Sequence, residues 1–200
     1  MTLDLTEDQI DALKEIANVG LGRAAGLLND MLSMHVELCI PEVVGVPPEY
    51  LHEALADYDE GLFSIVELPF QGDYGGVSSL LFPPKSAANL ISAVTDEKVD
   101  AENISSLHIE IMHELGSIVL NGIMGSFSNI LGSNLRFSLP SYSENTLDVI
   151  EAKYKERPEI ILILIKTKFT VVQENIEGHI MLFFEVASFN YLIKAIDELS

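Results

Sequence analysis

The chain has 200 residues, of which 48% are hydrophobic and 21% charged, and its formal net charge is −20. That length and balance allow one large or two small globular units with a substantial core, and they argue against a disordered chain. The charge disfavours nucleic acid and anionic membrane surfaces as partners, because phosphate recognition needs clustered Lys and Arg and only 11 are spread along the chain. Solubility is the ordinary reason for such acidity.

The N-terminal MTLDLTEDQ is acidic and lacks a basic stretch followed by an apolar one, so no signal peptide is expected. No apolar run is long enough for a bilayer, so no membrane insertion is expected. Thr6 and Gln9 form a capping-box signature, and Leu5 with Ile10 fits a hydrophobic staple. At about 100° per residue, Ile10, Leu13, Ala17, Leu21, Ala24 and Leu28 share one stripe of a long helix. Asp11, Glu15, Asn18 and Gly22 share another, rotated by roughly 130°, which faces water or a partner. Gly22 costs the helix about 1 kcal/mol relative to Ala. Without a side chain beside Asn18, it lets another surface come near.

Residues 35–46 read as extended, and Pro41 implies an edge position or a bend. The only cysteine, Cys39, lies in this apolar run and is expected as a small core residue of a protein in a reducing, cytoplasmic compartment. Residues 47–60 read as an acidic connection. Residues 62–70 and 76–82 read as strands joined through QGDYGG into an antiparallel hairpin, and residues 85–95 as a short helix.

The same frame then returns. Glu15 and Glu114 stand 99 residues apart (114 − 15), and so do Pro41 and Pro140 (140 − 41). After the polar connector DEKVDAENISS, a second long helix is predicted over 106–131. Ser105 stands for Thr6, and Ile104 and Ile109 for Leu5 and Ile10. His108 replaces Gln9, so the full capping box is expected to be lost. Met112, Val119, Ile123, Phe127 and Ile130 form the apolar stripe, and Glu110, Glu114, Ser117 and Asn121 the wet one. Pro140 lies in an extended stretch, LRFSLP at 135–140, strands are predicted over 158–170 and 178–185, and a closing helix over 187–198. Each half reads as long helix, three strands and short helix. Neither half has enough layers to cover its own sheet, so the halves are expected to share one sheet and one core.

The pattern Asp11-x3-Glu15-x2-Asn18-x22-Pro41, with its second copy about a hundred residues on, resembles the signature of the CheC/CheX/FliY family of chemotaxis proteins. The resemblance covers nearly the whole chain and is nearest to CheC. It implies an α+β fold: a CheC-like single domain over 1–200 made of two pseudo-twofold repeats, 5–96 and 104–199. Antiparallel strands would lie in a shared sheet with the long helices packed on it. It also implies an enzyme, a phosphatase that hydrolyses the aspartyl phosphate of a CheY-type response regulator. On that resemblance Asn18 orients the attacking water, Glu15 contacts a lysine of the regulator, and Asp11 has a supporting role on the same face; Gly22, from the helix-face reading, supports the site by leaving room beside them. No cofactor or metal is expected in this chain, and Mg²⁺ would belong to the partner regulator. The chemistry agrees: an acyl phosphate is already activated, so a water held in line suffices, and a neutral amide does not repel phosphoryl oxygens.

The second copy departs from the pattern, with Glu110 in the Asp/Ser position and Ser117 where the amide belongs. Asn121 lies one turn on, displaced by about 6 Å along the axis. Glu114, Ser117 and Asn121 are therefore a possible second site. Two other functions compete. One is a non-catalytic adaptor that binds the deamidase CheD or the flagellar switch, with Lys85, Asn89 and Ser92 on the short helix as the CheD-like contact. The other is a phosphatase for a receiver domain outside chemotaxis.

Other motifs carry less. GLGRAA at 20–25 imitates a dinucleotide fingerprint but falls inside the predicted helix rather than after a strand. GDYGG lacks the Lys-Ser/Thr of a phosphate loop. His108 and His113 point roughly 140° apart on a helix, unsuited to one metal. No G-x-S-x-G element is present.

Overall fold

A computed structural model describes residues 5–55, 61–100, 105–155, 160–171 and 174–198. The first long helix, α1, runs over Glu7–Leu32. Gln9 N donates to Thr6 Oγ1 at 3.2 Å and Thr6 N donates to Gln9 Oε1 at 3.1 Å, which closes the capping box. Ser33, at φ 52°, ends the helix in the left-handed region. The second long helix, α4, runs over Ser106–Ile130. Its capping box is also complete, contrary to expectation. Ser105 N donates to His108 Nδ1 at 3.1 Å, and His108 N donates to Ser105 Oγ at 3.4 Å. The physical reason is that an imidazole Nδ1 is an acceptor as serviceable as an amide oxygen. The staple residue Ile104, the connector residues 101–103 and the predicted strand start at 158–159 lie outside the described residues, as do residues 56–60 of the acidic connection.

One sheet contains seven antiparallel strands: β1 (Val36–Val46), β2 (Phe63–Gly72), β3 (Gly76–Phe82), β4 (Leu135–Phe137), β5 (Ser141–Asn145), β6 (Ile160–Val171) and β7 (Glu174–Glu185). The order is β1-β6-β7-β3-β2-β4, and β5 also pairs with β2. At the centre β3 lies against β7, from Gly76 opposite Phe184 to Leu81 opposite His179. The halves exchange strands: β1 of the first pairs with β6 of the second, while β4 and β5 of the second pair with β2 of the first. The two prolines mark matching interruptions. The β1 register shifts between Cys39 and Glu42, around Pro41, and Pro140 lies between β4 and β5.

The sheet is covered on both faces. On one side α1 and α4 pack on it together with α3 (Pro84–Thr95) and α6 (Val186–Asp197). Leu13, Ala17, Leu21 and Ala24 of α1 and Met112, Val119, Ile123 and Phe127 of α4 have no exposed surface. Each fully buried large aliphatic side chain stabilises by about 1.5–3 kcal/mol. The two helices meet closely. A Cβ on Gly20 would lie 2.5 Å from Ile123 Cα, and Ser126 Oγ donates to Ile16 O at 2.7 Å.

The other face holds a second core of Leu51, Leu55, Phe63, Ile65, Leu81, Leu147, Ile150, Leu162, Leu164, Met181 and Phe183. Its cover is a 3-10 turn at Pro48–Tyr50, α2 (Leu51–Ala54) and α5 (Leu147–Lys155). Part of the predicted acidic connection is thus helical, because burying Leu51 and Leu55 outweighs its polar composition. Tyr154 stacks on Phe183 with ring centroids 3.9 Å apart, and Lys153 Nζ lies 2.9 Å from Glu67 Oε1, which fixes α5 to β7 and β2. Cys39 is exposed, not core. It lies on β1 opposite Lys168, itself exposed, so an apolar neighbourhood in sequence does not place it inside.

Candidate functional site

The buried stripe of α1 fixes the direction of its opposite face. With Leu13, Ile16, Ala17 and Leu21 at most 2% exposed, Asp11, Glu15, Asn18 and Gly22 point to solvent, and all four are exposed. They span roughly 16 Å at a rise of about 1.5 Å per residue, and Glu15 and Asn18 are neighbours at i, i+3. No described residue hydrogen-bonds or ion-pairs with the side chains of Asp11, Glu15 or Asn18. A Cβ placed on Gly22 meets nothing within 4 Å, so the space above it is open. The result is a carboxylate and an uncommitted amide on a helix held rigid by its core side. Such an amide offers donors and an acceptor to a water or a phosphoryl oxygen. Val19, 40% exposed one turn beyond Glu15, borders this face and was not among the expected residues. Its signal was present: it is an apolar residue off the buried stripe.

The equivalent face of α4 is arranged differently. Glu110, Glu114 and Asn121 are exposed, but Ser117 is half-buried. The Ser117 hydroxyl donates to His113 O within its own helix. Asn121 Nδ2 donates to Ser117 O at 2.8 Å. The polar groups after Glu114 are therefore partly consumed by the helix backbone, unlike Asn18. His113 Nε2 lies 3.2 Å from Pro140 O and ties the helix to the β4–β5 junction.

On α3, Lys85 and Asn89 are exposed, and with Lys98 and Asp100 they line a cleft of about 470 Å³. Ser92 does not face out in the same way. Its hydroxyl donates to Ala88 O at 2.7 Å and accepts from Val99 N at 3.0 Å, so it pins the segment after α3. Among the described residues no group of three or more His, Cys, Asp and Glu could hold a metal ion. No helix among them is long and apolar enough to cross a membrane.

No protein-family model matches the chain. The flagellar motor switch phosphatase FliY of Bacillus subtilis is 25% identical over 197 residues, which is 96% of this chain but 50% of that protein. The CheY-P phosphatase CheC of the same organism is 26% identical over 156 residues, covering 76% of this chain and 72% of that one. The chain thus spans half the length of the FliY it matches. Among solved structures, Thermotoga maritima FliY superposes with a TM-score of 0.80 at 16% identity, over 99% of this chain and 100% of that one. The FliM middle domain from H. pylori gives 0.67 at 12% identity, over 96% and 99%. Both comparisons support the CheC/CheX/FliY likeness carried by the α1 motif, and the superpositions support the α+β fold with its antiparallel sheet.

Proposed function

We propose, from the likeness to the CheC/CheX/FliY family, that the chain is a phosphatase for the aspartyl phosphate of a CheY-type response regulator. The observation that carries this reading is the free amide of Asn18 beside the free carboxylate of Glu15 on the open face of α1. Asn18 holds a water in line with the phosphorus. The water oxygen forms the new P–O bond, the acyl P–O bond breaks, and the aspartate leaves as carboxylate. The chain supplies no nucleophile, so its contribution is positioning. Glu15 takes the regulator's lysine and fixes the register of docking. Mg²⁺ would act from the regulator's side.

The test is the decay of phosphorylated CheY-type regulator with and without the protein. Asn18→Ala is expected to lose at least tenfold of the acceleration with binding retained, and Glu15→Ala to weaken binding. A variant with Asn18 replaced that hydrolyses at the unaltered rate refutes the mechanism. Running the same assay on a panel of receiver domains separates a chemotaxis regulator from one outside chemotaxis.

A second reading is an adaptor. With a back-bonded Ser117 where α1 has Asn18, and with Asn121 Nδ2 held by Ser117 O, the equivalent face of α4 lacks an uncommitted amide beside Glu114, which favours a binding role for that face. One relative is named a flagellar motor switch phosphatase, and a solved neighbour of like fold is a FliG–FliM complex. CheD is the other candidate, with Lys85 and Asn89 as its contact. Capture of a switch protein or CheD by a chain without phosphatase activity would favour this reading.

A further inference from the structure

The outer edge of β1 is open. Among the described residues β1 pairs only with β6, so the other edge of Val36–Val46 presents unpaired backbone donors and acceptors. Beside Glu42–Val46 lies a cleft of about 390 Å³. Val44, Val46 and Ala54 give it an apolar floor, while Tyr50 and Glu53 border it from the 3-10 turn and α2. Its charges are not equivalent. Glu42 is neutralised by Lys166, with Nζ 2.8 Å from Oε2. Among the described residues Glu53 has no ion-pair partner, and Tyr50 is 39% exposed. A free carboxylate and an aromatic ring three residues apart, over an apolar floor, suit the stem and head of a Lys or Arg side chain. The net charge of −20 adds long-range attraction for a basic segment and repels an acidic one.

We propose that this edge docks an extended, basic peptide segment of a partner protein, which adds a strand to β1 and places a Lys or Arg against Tyr50 and Glu53. An added strand lies about 4.8 Å from β1, and its alternate side chains fall in line with Glu42, Val44 and Val46. The backbone supplies affinity and the cleft supplies the preference for a cation. The surface lies on the opposite sheet face from α1, so a segment bound there leaves Glu15 and Asn18 free.

Fluorescence polarisation of the intact protein with a labelled eight-residue peptide alternating Val and Lys tests the proposal. That peptide is expected to bind, and one alternating Val and Glu is not. N-methylation of alternate peptide amides, which removes strand pairing and keeps the charge, is expected to weaken binding at least tenfold. Glu53→Lys is expected to weaken it at least tenfold and Tyr50→Ala severalfold, while Glu7→Lys, the same charge change far from the cleft, shifts it less than twofold. Equal binding of the N-methylated peptide, equal effects of Glu53→Lys and Glu7→Lys, or no binding of the Val–Lys peptide overturns it.

Discussion

His179 is 1% exposed in the middle of β7, opposite Leu81 and Lys166. Burial, and secondarily the Lys166 charge, push its imidazole down to about 4 from 6.5. The unfolded chain therefore takes up a proton that the folded one refuses. The stability tied to this residue is complete above about pH 6.5 and is lost as the pH falls toward 4, to the extent of roughly 3 kcal/mol. Denaturant titrations at pH 7 and pH 5 measure the slope, and His179→Met is expected to flatten it. At this scale the sequence was most legible where residues answer to helical periodicity. Asp11, Glu15, Asn18 and Gly22 fall outward because the core stripe falls inward. It was least legible where one side chain has two plausible roles. Nothing in composition distinguishes His108 as a cap from His108 as a solvated residue, or an inward Cys39 from an outward one.

Two glycines of α1, only two residues apart, separate packing from propensity. Gly20 lies against the backbone of α4, where an added Cβ would sit 2.5 Å from Ile123 Cα and 2.7 Å from Gly122 O. Neither atom belongs to a flexible side-chain end, so Gly20→Ala is expected to force the helices apart and destabilise by about 1–3 kcal/mol. Gly22 faces open space, so Gly22→Ala is expected to stabilise by up to about 1 kcal/mol. Thermal or urea unfolding of both variants checks the opposite signs. The long helices and central strands were readable because their periodic signals run over many residues. The 3-10 turn, α2 and α5 were not, since helices this short are marginal on their own and exist through what they bury. Leu51, Leu55, Leu147 and Ile150 acquire their meaning only against Phe63, Leu162 and Phe183.

For the molecule as a whole, the exchange of strands makes the halves interdependent. Without β6 the edge of β7 and the whole of β1 are unpaired, and without β2 the strands β4 and β5 have no neighbour. Fragments 1–100 and 101–200 expressed apart are expected to lack cooperative unfolding, and mixing them is expected to restore it. Circular dichroism melts of each fragment and of the mixture decide this. The repeat in the sequence pointed to a shared sheet, but not to which strand lies beside which. Alternation of apolar residues tells a strand its face and says nothing of its neighbour.

The pairing of β1 with β6 also sets a timetable. Val46 closes β1 and Ile160 opens β6, so 114 further residues (160 − 46) must be added before the first strand meets its partner. At the usual roughly 5–20 residues per second of translation, that leaves the N-terminal strand waiting on the order of ten seconds. During that interval an apolar strand edge is offered to any other nascent chain nearby. The first strand thus waits for a partner made long after it, and the sheet cannot close until its most distant contacts form.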